Sequence, residues 1–289
     1  MKILKTLLFW TWAPVAFLVM ARPKASAVVA AVAAALGLCL WGGHAVTRAV
    51  ASEPGYALAK APFTLSGLPG CLEPAILGEL HRTHVAPLSG SVVDRDAAAR
   101  VGLALASSPW VKRVCSVEID TTPAVRAALE FREPAARVAW GRGIALVDAE
   151  GTLLPLGRYR AEATAATPLV VGVRKAPPGK AGEAWKDPGL LDALEILGRF
   201  RGDDVLKASP SAELAVVDVS NAGERRGDLP EIVCTTRRRL ALRFSMCGKP
   251  GRPDLDEQIG RLQKVLSVDR GLALARSYVD LRFPRPVGS

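Results

Sequence analysis

The stretch Trp110–Glu133 reads WVKRVCSVEIDTTPAVRAALEFRE and contains two apolar runs on either side of a turn. Alternation with a period of two is typical of strands that bury one face. The turn carries Asp120 and Pro123, residues that favour reversal of the chain. The stretch therefore predicts a β-hairpin. Its inward positions are predicted to be Val111, Cys115, Val117 and Ile119 in the first strand and Val125, Ala127, Leu129 and Phe131 in the second.

The residues before this hairpin add one strand and two helices. Phe63–Leu68 alternates like a strand, and the next segment repeats Leu72, Ile76 and Leu80 at helical spacing. A second helix, capped by Asp94 or Asp96, must end before Pro109. The order strand, helix, helix, strand, strand predicts a two-layer α+β unit. Trp110 is expected to seal an edge of its core, with an exposed contact as the alternative.

The residues after the hairpin are rich in strands. Alternating runs recur through Val138–Leu156, and two helical patterns begin near Asp187 and Asp254. The final pattern, SYVDLRFP from Ser277, predicts a strand whose inward residues are Val279, Leu281 and Phe283 and whose outward residues are Tyr278, Asp280 and Arg282. These patterns together predict a mixed β domain with at least two helices, so the fold class is α+β.

A membrane span is predicted at residues 25–46, a 22-residue run with no formal charge if His44 is neutral. This length is sufficient to cross a bilayer core of about 30 Å. Arg22 and Lys24 precede the span, which places them in the cytoplasm and the following residues outside. A shorter apolar run, Leu7–Ala21, is consistent with a signal-like segment, a membrane-surface segment or a first span.

The net charge of +10 is compatible with nucleic acid, an anionic membrane surface or an acidic partner. The span favours a membrane protein, and no nucleic acid is expected as a partner. No residues with the spacing of a catalytic or metal site stand out, so no enzyme activity and no cofactor are expected. His81 and His84 are three residues apart on a helix, and without a third ligand nearby they are interpreted as a surface pair.

Five cysteines leave several arrangements open. Cys39 lies in the span, and the four exported cysteines permit three complete disulfide pairings. Cys234 and Cys247 flank an inferred hairpin, and Cys71 and Cys115 belong to the α+β unit, so both pairs are candidate disulfides. Free buried thiols are the alternative, because cysteine is often buried.

Several motifs resemble, in order, those of the bacterial FtsQ/DivIB cell-division family. They are SPWVKRVCSVEI at the hairpin, EFREPAARVAW with Arg132, Glu133 and Pro134, ALVDAEGTLLPL with Asp148 and Gly151, TPLVVG from Thr167, and YVDLRFP near the end. The resemblance extends from the span to the last strand. The early apolar run departs from the family, and the residues after Phe283 leave little room for the further short strand that its members often have.

This resemblance implies a non-catalytic divisome scaffold in the cytoplasmic membrane. It implies partners similar to FtsB and FtsL, other divisome proteins, and a location at the division septum with most of the chain outside the cytoplasm. The implied divisions are an N-terminal segment (1–24), a transmembrane helix (25–46), a tether (47–61), a POTRA-like domain (62–133) with its junction at Pro109 and Trp110, and a β domain (134–289).

The resemblance also implies a site at the edge of the last strand, where an exposed backbone can pair with a partner strand. The candidate residues are Tyr278, Asp280, Leu281, Arg282 and Phe283, and the alternative is a strand that only closes the sheet. The run Arg237, Arg238 and Arg239 is a secondary candidate for acidic partners or lipid headgroups, with a solvated strand end as the alternative.

Two other classes of protein share some of these features. A membrane-anchored envelope enzyme would need a nucleophile or an acid–base cluster, and the sequence shows neither. A different POTRA-bearing chaperone or translocation subunit is expected to carry several POTRA repeats or a membrane barrel. The divisome scaffold is therefore the favoured interpretation.

Overall fold

The computed structural model describes residues 23–120, 124–209, 212–223, 231–245, 254–268, 277–283 and 287–288. Within them the chain forms an N-terminal apolar helix, a small α+β unit and a larger sheet covered by helices. This arrangement confirms the predicted α+β class. The candidate span, the α+β unit and the large sheet follow one another along the chain in the predicted order.

Helix α1, Pro23–Ala51, has 29 residues and is about 43 Å long at 1.5 Å per residue. Its segment Val28–Ala51 is long and apolar enough to cross a membrane, and none of it is buried by the rest of the chain. The predicted span, residues 25–46, overlaps this segment. The shorter apolar run Leu7–Ala21 lies outside the described residues.

The segment predicted as a tether is instead packed against the α+β unit. Two 3₁₀ turns, Pro54–Tyr56 and Leu58–Lys60, follow α1 closely. The backbone N–H of Leu58 donates to the Gly90 carbonyl at 3.1 Å, and the Leu58 side chain is fully buried. Leu58 thus belongs to the core, a role that its place between two alanines in a short apolar stretch does not reveal.

The α+β unit has the predicted order of elements. Strand β1 (Phe63–Ser66) is followed by helix α2 (Ile76–Leu80), a π-helical turn (His81–Val85), helix α3 (Ala97–Ala106) and strands β2 (Val111–Ile119) and β3 (Val125–Phe131). The strands lie in the order β1–β3–β2, with β1 parallel and β2 antiparallel to β3. The parallel pairing of β1 and β3 requires a long crossover, which the two helices supply.

Two β-bulges correct the predicted phase of β2. Its register with β3 shifts between Val111 and Arg113, and again between Val114 and Ser116. Each extra residue turns the following side chains to the other face. Val114 therefore packs toward the core, whereas Cys115 is exposed.

These bulges also explain why one candidate disulfide is not formed. Cys71 is half-buried and Cys115 is exposed on β2, and both are free thiols. The predicted Cys71–Cys115 disulfide is therefore not formed, because the bulge turns Cys115 away from the interior of the unit. Burial raises the pKa of Cys71, and the nearby Glu133 carboxylate adds to this shift.

The large sheet has nine described strands in the order β12-β11-β10-β9-β8-β7-β4-β5-β6. Helices α5 and α7 pack on one face and form the main core with it. The strands are β4 (Ala136–Trp140), β5 (Gly143–Val147), β6 (Leu153–Leu154), β7 (Leu169–Val171), β8 (Leu214–Asp218), β9 (Ile232–Thr236), β10 (Ala241–Phe244), β11 (Tyr278–Asp280) and β12 (Val287–Gly288). The helices are α4 (Ala161–Ala166), α5 (Pro188–Gly202), α6 (Asp204–Ala208) and α7 (Leu255–Val268).

Helix α5 begins where the sequence places a cap. Asp187 is the N-cap, and its Oδ1 accepts a hydrogen bond from the Leu190 backbone N–H at 2.9 Å. Pro188 occupies the first turn, where its missing N–H costs nothing. The same carboxylate accepts hydrogen bonds from the backbone N–H groups of Arg174 and Lys175, which attaches the loop after β7 to this helix.

Cys234 lies at the centre of the sheet. It pairs with Val217 on β8 and Leu242 on β10, and its side chain is fully buried. Burial in this apolar setting raises the pKa of the Cys234 thiol well above its ordinary value. Cys234 is free, and its candidate partner Cys247 lies outside the described residues.

The α+β unit packs against one end of the large sheet. Leu146, Leu154 and Tyr159 belong to its core rather than to the main core. Leu146 neighbours Val147 along β5, so the two side chains point to opposite faces. The α+β unit therefore covers the β5–β6 end of the face opposite helices α5 and α7.

Backbone pairing also crosses this junction. Leu72 and Tyr159 form an isolated antiparallel bridge. On either side of it, the Glu73 N–H donates to the Arg158 carbonyl and the Arg160 N–H donates to the Cys71 carbonyl, both at 2.9 Å. Because backbone groups from both units are paired directly, their contact does not depend on side chains alone.

Four residues, Trp110, Arg132, Asp148 and Tyr159, form what we call the junction clamp. The Arg132 guanidinium lies 2.6 Å from the Asp148 carboxylate, and both side chains are largely buried. The Tyr159 hydroxyl donates to the Arg132 carbonyl at 2.8 Å, and the Arg132 N–H donates to the Trp110 carbonyl at 2.9 Å. The rings of Trp110 and Tyr159 are 5.4 Å apart, and Trp110 is only 5% exposed. Trp110 therefore seals a core edge, as predicted.

Candidate partner-binding edge

Strand β11 lies one strand in from the end of the large sheet. It pairs in parallel with β10, with Val279 opposite Leu242, and antiparallel with β12, with Asp280 opposite Val287. The prediction that residues 278–283 form the outer edge is therefore wrong, because β12 occupies that position. The chain reverses after Phe283 and forms the short strand for which the sequence seemed to leave too little room.

The predicted alternation is correct for two of its three inward residues. Val279 and Leu281 are fully buried, whereas Phe283 is 50% exposed. Strand β11 ends at Asp280, and the chain bends at Arg282 and Phe283. The bend ends the period-two pattern, so Phe283 lies on the surface beside the edge.

The outward charges pair with each other. The Arg282 Nε and Nη2 atoms donate to the two Asp280 carboxylate oxygens at 2.9 and 2.7 Å, and the Arg282 backbone N–H adds a bond of 3.2 Å. This two-point geometry is the strongest form of an arginine–carboxylate pair. Asp280 is only 3% exposed and is paired with Arg282. The prediction that both charges are free on the surface is therefore wrong.

The pKa of Asp280 reflects this pairing. Burial alone would raise it, but the hydrogen bonds from the Arg282 side chain and backbone and the charges of Arg282 and Arg243 outweigh burial. The pKa of Asp280 is therefore below its ordinary value. The carboxylate remains ionised in the folded chain at pH values at which an unfolded chain already binds the proton.

This lowered pKa predicts a specific pH dependence of stability. The contribution of Asp280 should be complete above the unfolded-state pKa, about 3.9, and should disappear as the pH falls through the lower folded-state pKa. The melting temperature of the parent should therefore be higher than that of Asp280→Asn at neutral pH, and this difference should shrink only in strong acid. A difference in melting temperature that stays constant down to pH about 2 would contradict this role.

Two arginines at this edge contact aromatic rings. The Arg243 guanidinium carbon lies 3.9 Å from the centre of the Tyr278 ring, and that of Arg282 lies 5.2 Å from the Phe283 ring. Both distances fall within the range of cation–π attraction. Arg243 was not among the predicted site residues, although the alternating run LALRF places it in an outward position. Arg243, Tyr278, Asp280, Arg282 and Phe283 are called the edge cluster below.

The edge cluster borders the sheet face opposite helices α5 and α7. Directly opposed residues cross six strands on this face, and all of them are partly exposed. The row consists of Arg137, Leu169, Val216, Thr235, Ala241 and Tyr278. The face is therefore accessible next to the candidate edge and is more apolar than a typical solvated face.

The structure does not bring the arginine run into the edge cluster. Arg237 pairs with Glu213 at 2.6 Å and donates to the Ala166 carbonyl, which directs it toward β8. Arg239 has a φ of 65° in the turn between β9 and β10. Arg238 and Arg239 are exposed, as expected for a solvated strand end.

The two histidines of the π-helical turn lie far along the chain from this edge. His84 Nδ1 is 3.4 Å from the Ser107 hydroxyl, and burial lowers the pKa of His84. Within the described part of the chain, no group of three or more potential metal ligands forms.

A family model for the C-terminal region of the cell division protein FtsQ/DivIB matches residues 136–282. The match begins at the first residue of β4 and extends just beyond β11, so it includes twelve elements, strands β4 to β11 and helices α4 to α7. No curated protein matches this chain. Helix α1 is consistent with a transmembrane anchor. The chain therefore belongs to the FtsQ/DivIB family, a family of non-catalytic proteins of bacterial cell division.

Proposed function

We propose that this chain is a non-catalytic scaffold of the divisome. Anchored in the cytoplasmic membrane by α1, it binds single-pass partners similar to FtsB and FtsL through its extracytoplasmic β domain. It thereby links early and late division proteins at the septum. Family membership supports the role in cell division, and the form of the sheet edge supports the mode of binding.

The observation that carries this proposal is the end of the large sheet. Strand β12 is the last strand, and on its outer side no strand is present among the described residues. The N–H and C=O groups of such an edge can pair with an added strand. The strand is short, which limits unspecific pairing and requires side chains nearby to select the partner.

The edge cluster supplies that selectivity. Asp280 neutralises Arg282, so Arg243 provides the net positive charge of the cluster. Tyr278 is half-buried and Phe283 is half-exposed, which gives the partner apolar surface to cover. The partner segment is therefore expected to combine an extended backbone with an acidic side chain and at least one large apolar side chain.

The domain boundaries and the orientation belong to the same proposal. We assign residues 62–133 to a POTRA-like domain and residues 134–289 to the β domain. Arg22 and Lys24 place the N-terminus in the cytoplasm, which leaves both domains outside. The element order β-α-α-β-β in the first and the family match in the second support these assignments.

Photocrosslinking in the native cells tests this proposal. A photoreactive residue at Phe283 should form an adduct with an FtsB-like partner, because this half-exposed side chain lies beside the candidate edge. The same residue at Leu156, which is 64% exposed just after β6 at the opposite end of the sheet, is the matched control. Adducts should appear with the first position and not with the second.

The opposite pattern would refute the proposed edge. If the Leu156 position captures the FtsB-like partner and the Phe283 position does not, binding occurs at the β6 end. If both positions capture only proteins unrelated to division, the scaffold role itself is wrong.

A further inference from the structure

The end of α1 extends beyond the apolar core of a bilayer. A hydrocarbon core of about 30 Å requires about 20 helical residues, and the uncharged run of residues 25–46 already supplies them. The remaining residues 47–51 continue the same helix by about 7 Å, close to the thickness of one headgroup layer. Arg48 therefore lies at headgroup level.

The chain folds onto the α+β unit directly after this point. Hydrogen bonds run from the Ser52 N–H to the Arg48 carbonyl and from the Glu53 N–H to the Val50 carbonyl. The Tyr56 carbonyl then accepts the Val92 N–H at 2.8 Å and the Ser91 hydroxyl at 3.0 Å. Only residues 52–55 separate the helix from the packed unit, so the loop of residues 88–96 is held next to the membrane.

The charges on this loop are distributed unevenly. Arg100 pairs with Asp94 at 2.8 Å and with Asp96 at 3.2 Å, and it compensates one of these two negative charges. Arg48, Lys60 and Arg95 are exposed, and none has an ion-pair partner among the described residues. Together with Glu53, which is exposed in the short connection, one negative charge remains on the aspartates, so the three cations exceed the uncompensated anions by one.

We propose that this membrane-proximal face, formed by Arg48, Tyr56, Lys60 and Arg95, binds the headgroups of anionic phospholipids. The three cations complement the phosphates of the leaflet from which α1 emerges. Tyr56 is half-buried with a polar hydroxyl, the amphipathic character that favours the membrane interface. Because α1 holds this face next to the bilayer, even weak contacts with headgroups are populated.

Such binding would orient the α+β unit on the bilayer. Each lysine or arginine close to an anionic surface contributes a favourable attraction that declines within a Debye length. These contacts would add to the hydrogen-bonded connection of residues 52–55 in restricting the tilt of the unit. The inference goes beyond partner binding, since it concerns the opposite end of the molecule from β12.

Hydrogen exchange of the full chain in lipid nanodiscs tests the inference. Amides of residues 56–60 and 88–96 should exchange about threefold or more slowly in discs that contain phosphatidylglycerol than in phosphatidylcholine discs, and high salt should remove the difference. The variant Lys60→Glu/Arg95→Glu should also lose the difference. Lys60→Gln/Arg95→Gln should show the same loss and guards against a folding defect in the first variant.

The matched control reverses two cations elsewhere. Arg142→Glu/Lys180→Glu changes two exposed residues of the β domain by the same charge and should retain the lipid-dependent protection. Equal exchange in both lipids, or loss of protection in this control, would overturn the inference. Inorganic phosphate added to phosphatidylcholine discs separates the sources: if it reproduces the protection, the face binds free phosphate and the assignment to lipid is wrong.

Discussion

Deleting residues 284–289 is expected to weaken binding of an FtsB-like partner by about 10- to 100-fold, the loss of one or two good backbone hydrogen bonds and their neighbouring contacts. The deletion removes β12, the strand to which the partner is proposed to add. The fold should survive, because Leu281 is the last core residue in the described part of the chain. A binding titration and a thermal melt of the parent and the truncated chain measure the two effects separately.

A same-length control distinguishes the strand from mere chain length. Replacing residues 284–289 with glycine and serine keeps the length but weakens strand formation. It should bind as poorly as the deletion. If the truncated chain instead binds the partner as tightly as the parent or more tightly, the partner pairs with β11 directly. In the parent it would then displace β12.

Asp148→Ala is expected to lower the free energy of unfolding by about 3 kcal/mol, because the largely buried Arg132 guanidinium loses its nearer carboxylate and keeps only the more exposed Glu150 at 3.5 Å. The same substitution removes the acceptor of the Glu150 and Thr152 backbone N–H groups, which form the turn between β5 and β6. Denaturant unfolding of the full chain in detergent measures the loss. This is the largest effect expected for a single side chain at the junction clamp.

Two further variants separate the causes. Asp148→Asn retains an oxygen for the turn but loses the negative charge, so it should recover only part of the stability. Asp256→Ala removes a carboxylate from an exposed pair with Arg199, and exposed pairs contribute about 0–1 kcal/mol. If Asp148→Ala is as mild as Asp256→Ala, the clamp does not stabilise the junction.

The local patterns predicted the elements well. The helix at Asp187 was readable because a capping aspartate, a proline and regularly spaced leucines agree, and α5 begins there. The pattern Ile259, Leu262 and Leu266 likewise predicted α7. In these segments the local signals depend on neighbours within a few residues, which is the range over which sequence patterns are informative.

Features that depend on distant residues were not readable. The bulge at Cys115 is a shift in the pairing of β2 with β3, and no residue within β2 signals it. Leu146 looks like any other strand residue of the β domain, yet it packs into the core of the α+β unit. At the candidate site, the alternating charges Asp280 and Arg282 predicted a solvated face. Asp280 is instead buried, because Arg282 folds back over it.

The junction clamp has a mechanical consequence. Flexible hinges would be expected at the exit from the bilayer and between the two units, and both places are instead occupied by paired backbone groups. A tilt of α1 is then transmitted to both units, so in the proposed orientation this tilt sets the height of β12 above the bilayer. A partner with its own membrane helix must present its binding strand at that same height, so the length of its juxtamembrane segment becomes a criterion of fit.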